Sequence, residues 1–230
     1  MKTLVLWDID LTLVDTRGIA HGWYRTALRA VAGRELVHVP SFPGRTELAI
    51  SRELLALHEV EPTDELVAGL HKELVEVTRR EHTLLSSRGR ALVGAAEALA
   101  ALGQRDDVVQ TLVTGNLAEI AWYKLAAFGL EAHVDFDIGG YGAASEHRPD
   151  LVTDAMRLAG AKHDVEFPVE SVVVIGDTPH DIDAALHHGA IAIGVATGRS
   201  SVAELQAAGA HTVLPDLSDT DAVLAAVLRN

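Results

Sequence analysis

No cysteine occurs in the 230 residues, which excludes disulfides, thiolate-held metals and a cysteine nucleophile and suits a reducing compartment. Positive charge is also in short supply. With 19 Lys and Arg against 33 Asp and Glu, the formal net charge is -14, so nucleic acid and anionic membranes, which are bound chiefly through cations on phosphates, are excluded as partners. A phosphate-bearing ligand would have to be captured locally, by a metal ion or a few placed donors. There is no basic N-terminal region leading into an apolar run and cleavage site, and no uncharged stretch approaches the ~18 residues of a membrane span. A cytoplasmic protein is expected. No internal repeat or low-complexity segment is visible either, and the 48% hydrophobic content is enough for a full core.

Short continuous apolar runs mark buried strands: TLVLW at Thr3–Trp7, then Val108–Val113, Val172–Ile175, Ala190–Val195 and Thr212–Leu214. Helical patterns lie between or after them, at Leu117–Phe128, Asp150–Leu158, His180–His188, Ser201–Ala208 and Asp219–Leu228. This alternation predicts an α/β fold, a Rossmann-like doubly wound parallel sheet with helices on both faces, whose sites lie at the carboxyl ends of the strands. Residues 16–86 break the rhythm. Their apolar residues fall at helical spacing in Ile19–Val31, Glu47–Leu57 and Glu65–Leu85, which predicts an α-helical cap inserted into a core made of 1–15 and 87–230.

The first strand ends on Asp8 and Asp10, where such a sheet presents functional groups. An isolated D-x-D often does no more than start a turn or cap a helix. Here two other strands end in a similar way. LVTGN places the Thr114 hydroxyl, Gly115 and the N–H groups of a helix start from Asn116 onward where a phosphate could be accepted. VVVIGDTPHDIDAA ends a further strand on Asp177, with Asp181 one helical turn on.

Taken in order, DIDLTLVDT, LVTGN, HRP and GDTPHDIDAA resemble the four motifs of the haloacid dehalogenase-like hydrolases, and the helical insertion resembles the phosphoglycolate-phosphatase-like branch. The resemblance covers nearly the whole chain. It implies a phosphatase that uses Mg²⁺ and an aspartyl-phosphate intermediate on a small phosphorylated metabolite. Asp8 would be nucleophile and metal ligand, while Asp10 would lend its carbonyl to the metal and its side chain to acid–base work. Asp177 would complete the metal ligands, with Asp181 in support, and Thr114, Gly115, Asn116 and Arg148 would hold the phosphoryl group. The chemistry is coherent, because a phosphate dianion repels a carboxylate until its charge is neutralised.

Two residues depart from the pattern. Leu11 stands where glycine is usual, so an ordinary backbone conformation is expected there. Arg148 stands where lysine is usual; it can still grip carboxylate or phosphate through two donors. Lys124 is the rival cation, but eight residues into a helix begun at Asn116 place it about 12 Å from the phosphate end. In the insertion, Arg45 follows a turn and is the candidate for contact with the substrate's other end. The twelve histidines are assigned to surface and packing, since neither His187 and His188 nor His71 and His82 are spaced to chelate together.

Other chemistries compete within and outside this resemblance. A phosphomutase keeps all four motifs. A haloacid dehalogenase has no use for Asp10, and a phosphonatase needs a cap lysine, for which Lys72 is the sole residue of that type in the insertion. A phospho-receiver carries its aspartate on a later strand, and a dead binding module has no reason to keep Asp8, Asp10, Thr114 and Asp177.

Overall fold

The computed structural model describes residues 2–228. Its strands are β1 (Thr3–Trp7), β2 (Val14–Asp15), β3 (Arg90–Ala91), β4 (Val108–Thr114), β5 (Gly140–Tyr141), β6 (Val172–Gly176), β7 (Ile191–Val195) and β8 (Thr212–Leu214). The helices are α1 (Ala20–Ala32), α2 (Glu47–Leu57), α3 (Asp64–Glu81), α4 (Thr83–Arg88), α5 (Ala95–Gly103), α6 (Ala118–Ala126), α7 (Arg148–His163), α8 (Pro179–His187), α9 (Val202–Ala207) and α10 (Thr220–Leu228).

Six strands form one sheet in the order β5-β4-β1-β6-β7-β8, with every neighbouring pair parallel. Side chains alternate across it, as the strand period demands. Val5 and Trp7 join α5 and α10 through Leu99, Leu102, Val223 and Val227 on one face. Leu4 and Leu6 join α7 and α8 through Leu151, Val152 and Ile182 on the other. Both faces of β1 are therefore dry, which explains an unbroken apolar run in place of an alternating one. The chain crosses from β1 to β4 on one side and to β6 on the other, so the end of β1 lies at the topological switch point. Trp7 sits in register with both Leu112 and Ile175, which aligns the ends of β1, β4 and β6.

Helices α1 to α4 lie between β2 and β3, a short antiparallel pair joining Val14 to Ala91 and Asp15 to Arg90. They pack around their own apolar cluster, which includes Trp23, Leu28, Leu54, Leu70 and Leu74 and is completed by Leu117 and Ile120 next to and on α6. The single periodic segment Glu65–Leu85 divides near His82 into α3 and α4. Helix α5 and the two-residue strands were not among the expected elements: five of the nine residues of AAEALAALG are alanine, which marks neither face of a helix, so the spacing of its buried Ala95, Ala98, Leu99 and Leu102 stands out little, and two-residue strands are set by their partners.

Candidate active site

Asp8 follows directly on β1, and its backbone N–H still donates to Ile175 O at 2.9 Å. The carboxylate is buried and receives Arg148 Nη2 at 2.7 Å on Oδ1. Arg148 is the first residue of α7, with Pro149 behind it at a position where a helix needs no N–H. Its Nη2 also donates to Asp181 Oδ1 at 2.5 Å and to Val113 O at 3.2 Å. The expected Arg148 is thus brought to the first motif. Asp181 is held by its own helix as well. Its Oδ2 accepts from the N–H and hydroxyl of Thr178, at 3.0 and 2.7 Å, so it caps α8 while facing Arg148.

Asp8, Asp177 and Asp181 each offer a carboxylate oxygen within 4.8 Å of the others. No histidine joins this group among the described residues. Burial first, then Asp181, raises Asp8 to about 7 despite Arg148. Burial, with Asp8 and Asp181 adding to it, raises Asp177 to about 9. Arg148 is pulled down by burial and pushed further up by Asp181 and Asp8, so it stays a cation.

A hard divalent cation fits this donor set. One guanidinium faces three carboxylates, which leaves two negative charges uncompensated when all are ionised. Among the described residues, Asp8 Oδ2 and Asp177 Oδ1 find no donor nearer than the Thr12 hydroxyl, 3.5 Å from each. Oxygen ligands of this kind suit Mg²⁺. Asp177 is confined from behind by Gly198, where a Cβ would stand 1.7 Å from its Oδ2. Sequence reasoning had no signal for Gly198, because the constraint comes from a loop that follows β7 in the chain.

Asp10 lies beside this group, and its carboxylate belongs to a second network. Lys124 Nζ donates to both of its oxygens, at 2.7 and 2.6 Å, and to Asn116 Oδ1 at 2.6 Å. Asn116 Nδ2 donates to Asp10 Oδ2 and to Thr114 Oγ1, each at 2.8 Å. Lys124 is therefore a site residue, and the placement of about 12 Å is corrected. Helix α6 begins at Ala118 and not at Asn116, and a helical side chain points back toward the N-terminus. A lone lysine among apolar residues in AEIAWYKLA was the available sign, since lysine is seldom fully buried unless paired.

Leu11 is a further correction. Its φ is +62°, a left-handed conformation that the sequence argument excluded for leucine. The turn is over-determined by hydrogen bonds: Leu11 N donates to Val14 O, Leu13 N to Ile9 O, and the Thr197 hydroxyl to Leu11 O at 2.6 Å. These contacts outweigh a local strain of about 1–2 kcal/mol.

A cavity of about 600 Å³ opens from Asp8 and Asp10 toward the inserted helices, where Trp23, Tyr24, Phe42 and Ile50 wall it. Tyr24 Oη donates to Glu47 Oε2 at 2.7 Å, and the Ser51 hydroxyl to Oε1 at 3.0 Å. Burial raises the pKa of Glu47, and burial together with Glu47 raises that of Tyr24. Arg45 lines the cavity while its guanidinium pairs with Glu53 and donates to Ser41 O and Ala49 O. The start of α2 is bound to the second motif by Glu47 N to Gly115 O at 2.9 Å and Leu48 N to Gly142 O at 2.8 Å. A Cβ on Gly115 would meet Arg45 O at 1.9 Å, so only glycine permits this approach.

A parallel sheet with carboxylates grouped at its switch point and helices inserted after its first strand defines an α/β enzyme core. The chain belongs to the haloacid dehalogenase-like hydrolases, whose family model matches residues 5–186. A protein of Dickeya dadantii described as "probable phosphatase IndB" is 29% identical over 238 residues, covering 100% of this chain and 96% of the relative. Among solved structures, a hydrolase from Pseudomonas syringae superposes with a TM-score of 0.64 at 24% identity, covering 95% of both chains. A haloacid dehalogenase-like protein from Streptococcus pneumoniae gives 0.64 at 15% identity, covering 96% of this chain and 97% of its own. Among the described residues, no helix is long and apolar enough to cross a membrane.

Proposed function

We propose that the protein is a Mg²⁺-dependent, cytoplasmic phosphatase of a small phosphorylated metabolite, a phosphoglycolate-like acid or a sugar phosphate, and that residues 16–86 act as its cap domain. The observation that carries this reading is the buried Asp8 carboxylate, held by Arg148 at 2.7 Å beside Asp177 and Asp181. The hydrolase family and the relative described as a phosphatase support it.

Asp8, Asp177 and the Asp10 carbonyl would hold the metal, which when bound neutralises phosphate charge. Asp8 attacks phosphorus in line, the bond to the leaving oxygen breaks, and Asp10 protonates that oxygen. Thr114, the Gly115 and Asn116 loop and Arg148 hold the phosphoryl oxygens. Water then attacks phosphorus, the bond to Asp8 breaks, and the water proton passes to Asp10. The cavity beyond Asp10, with Arg45 on its wall, takes the leaving group.

A screen of phosphorylated metabolites with Mg²⁺, scored by phosphate release, tests the reading. Turnover should vanish on exhaustive chelation, and in Asp8→Asn with the fold intact. Undiminished hydrolysis in either arm refutes the mechanism. Conversion of a sugar monophosphate to its isomer, dependent on the bisphosphate, would assign a mutase.

A further inference from the structure

We propose that Lys124 is a positioning residue for Asp10: its two-oxygen grip, completed by Asn116, aims the Asp10 carboxylate at the water that hydrolyses the aspartyl-phosphate. The proposal rests on the phosphatase reading above.

An ammonium group has three donors and no acceptor, so a buried lysine needs three acceptors. Lys124 finds them in Asp10 Oδ1, Asp10 Oδ2 and Asn116 Oδ1, all within 2.7 Å. The two partners differ sharply in exposure. The Lys124 side chain is 5% exposed and that of Asp10 is 42% exposed, and both line the cavity. The pair therefore has a buried, fixed end and an open, reacting end.

Asn116 sets the orientation of the whole ring. Its carbonyl faces Lys124, which turns its amide to Asp10 Oδ2 and Thr114 Oγ1. Asp10 thus accepts three charge-assisted or amide hydrogen bonds, and a carboxylate held this way has little rotational freedom left. When water attacks the aspartyl-phosphate, its oxygen bonds to phosphorus, the bond from phosphorus to the Asp8 oxygen breaks, and one water proton must go to a base. A fixed carboxylate at the cavity edge meets that need. An unanchored one would spend most of its time in other rotamers, and base catalysis is worth ~10²–10⁴-fold.

The step can be isolated with p-nitrophenyl phosphate, because nitrophenolate leaves without a proton and its release does not call on Asp10 as an acid. In the full chain with Mg²⁺, stopped-flow follows nitrophenolate release while a radiolabelled substrate and an unlabelled chase follow loss of the acyl-phosphate. In Lys124→Met, the first-turnover burst of nitrophenolate should keep its rate within a few-fold of wild type, while loss of the label, and with it steady-state turnover, slows ~10²-fold or more. Lys124→Arg should restore most of the loss, since it keeps charge and donors.

Equal slowing of both steps in Lys124→Met, or no change in either, would mean that Lys124 merely pins α6, and would overturn the proposal. Should Lys124→Met fail to fold, Lys124→Gln, which keeps two donors but no charge, is read in the same way. Wild type that forms no acyl-phosphate with any phosphate ester would instead refute the phosphatase reading, and the role of Lys124 with it.

Discussion

Asp177→Asn should make the metal-free protein more stable, by an amount that grows with pH. In the fold the Asp177 carboxyl is raised from 3.8 to about 9 by burial, Asp8 and Asp181, so at neutral pH it holds a proton that the unfolded chain has released. Each pH unit between 3.8 and 7 then costs wild type about 1.4 kcal/mol, up to about 4 kcal/mol in all. Asparagine has the shape of the protonated acid and no proton to lose. The sign follows directly. For a carboxyl raised in the folded state, stability is fully present below the unfolded value of 3.8 and is lost as pH climbs toward about 9. The variant lacks that slope.

With about 2–4 °C of melting temperature per kcal/mol for a chain of this size, the gain near pH 7 should be on the order of 8–16 °C and should disappear near pH 4. Thermal melts of both proteins in chelator, from about pH 4 to 9, measure it. Added Mg²⁺ should raise wild type and leave the variant nearly unmoved, since a ligand stabilises only the fold that binds it. Melting temperatures that run parallel across the pH range, or an asparagine variant that is less stable throughout, would refute the claim that the acidic group is repulsive without a cation.

Arg148→Ala should reduce turnover ~10²-fold or more, because it strips the positioned cation from Asp8, whereas Arg148→Lys should keep substantial activity; near-normal rates in the alanine variant would assign the role elsewhere. Leu11→Gly relieves a left-handed leucine, worth about 1–2 kcal/mol, against an entropic cost of about 0.5–1 kcal/mol. A small rise in melting temperature with turnover within a few-fold is expected, and a loss of more than about 1 kcal/mol in a denaturant titration would show that the leucine side chain holds the turn.

The sheet was legible because burial on both faces leaves a plain mark: TLVLW and VVVI are apolar at every position or nearly so, and β1 and β8 carry the boundaries expected from sequence alone. Amphipathic helices were equally readable where one face meets solvent, as in Glu47–Leu57. Helix α5 was not, because five of its nine residues are alanine, which marks neither a core nor a solvent face, although Ala95, Ala98, Leu99 and Leu102 are buried at helical spacing. Strands β2, β3 and β5 have two residues each, too few to carry any pattern.

The carboxylates were legible for a different reason, since charges at the ends of buried strands are costly unless something uses them. What could not be read was how far side chains reach and what the backbone is forced to do. Lys124 was placed by the rise of its helix, yet its long stem runs back along α6 to Asp10. Leu11 was judged by its own conformational preference, yet hydrogen bonds from Leu13, Val14 and Thr197 decide the turn. The docking of α2 on Gly115 and Gly142 belongs to the same class: its signal in the sequence is two glycines without a visible cause. Their cause is steric, because peptide groups from two distant segments must nearly touch. The Thr114–Asn116 loop and the start of the inserted helix are consequently one hydrogen-bonded unit, so a side chain placed at Gly115 would displace the cavity wall at Arg45 and the Thr114 loop together.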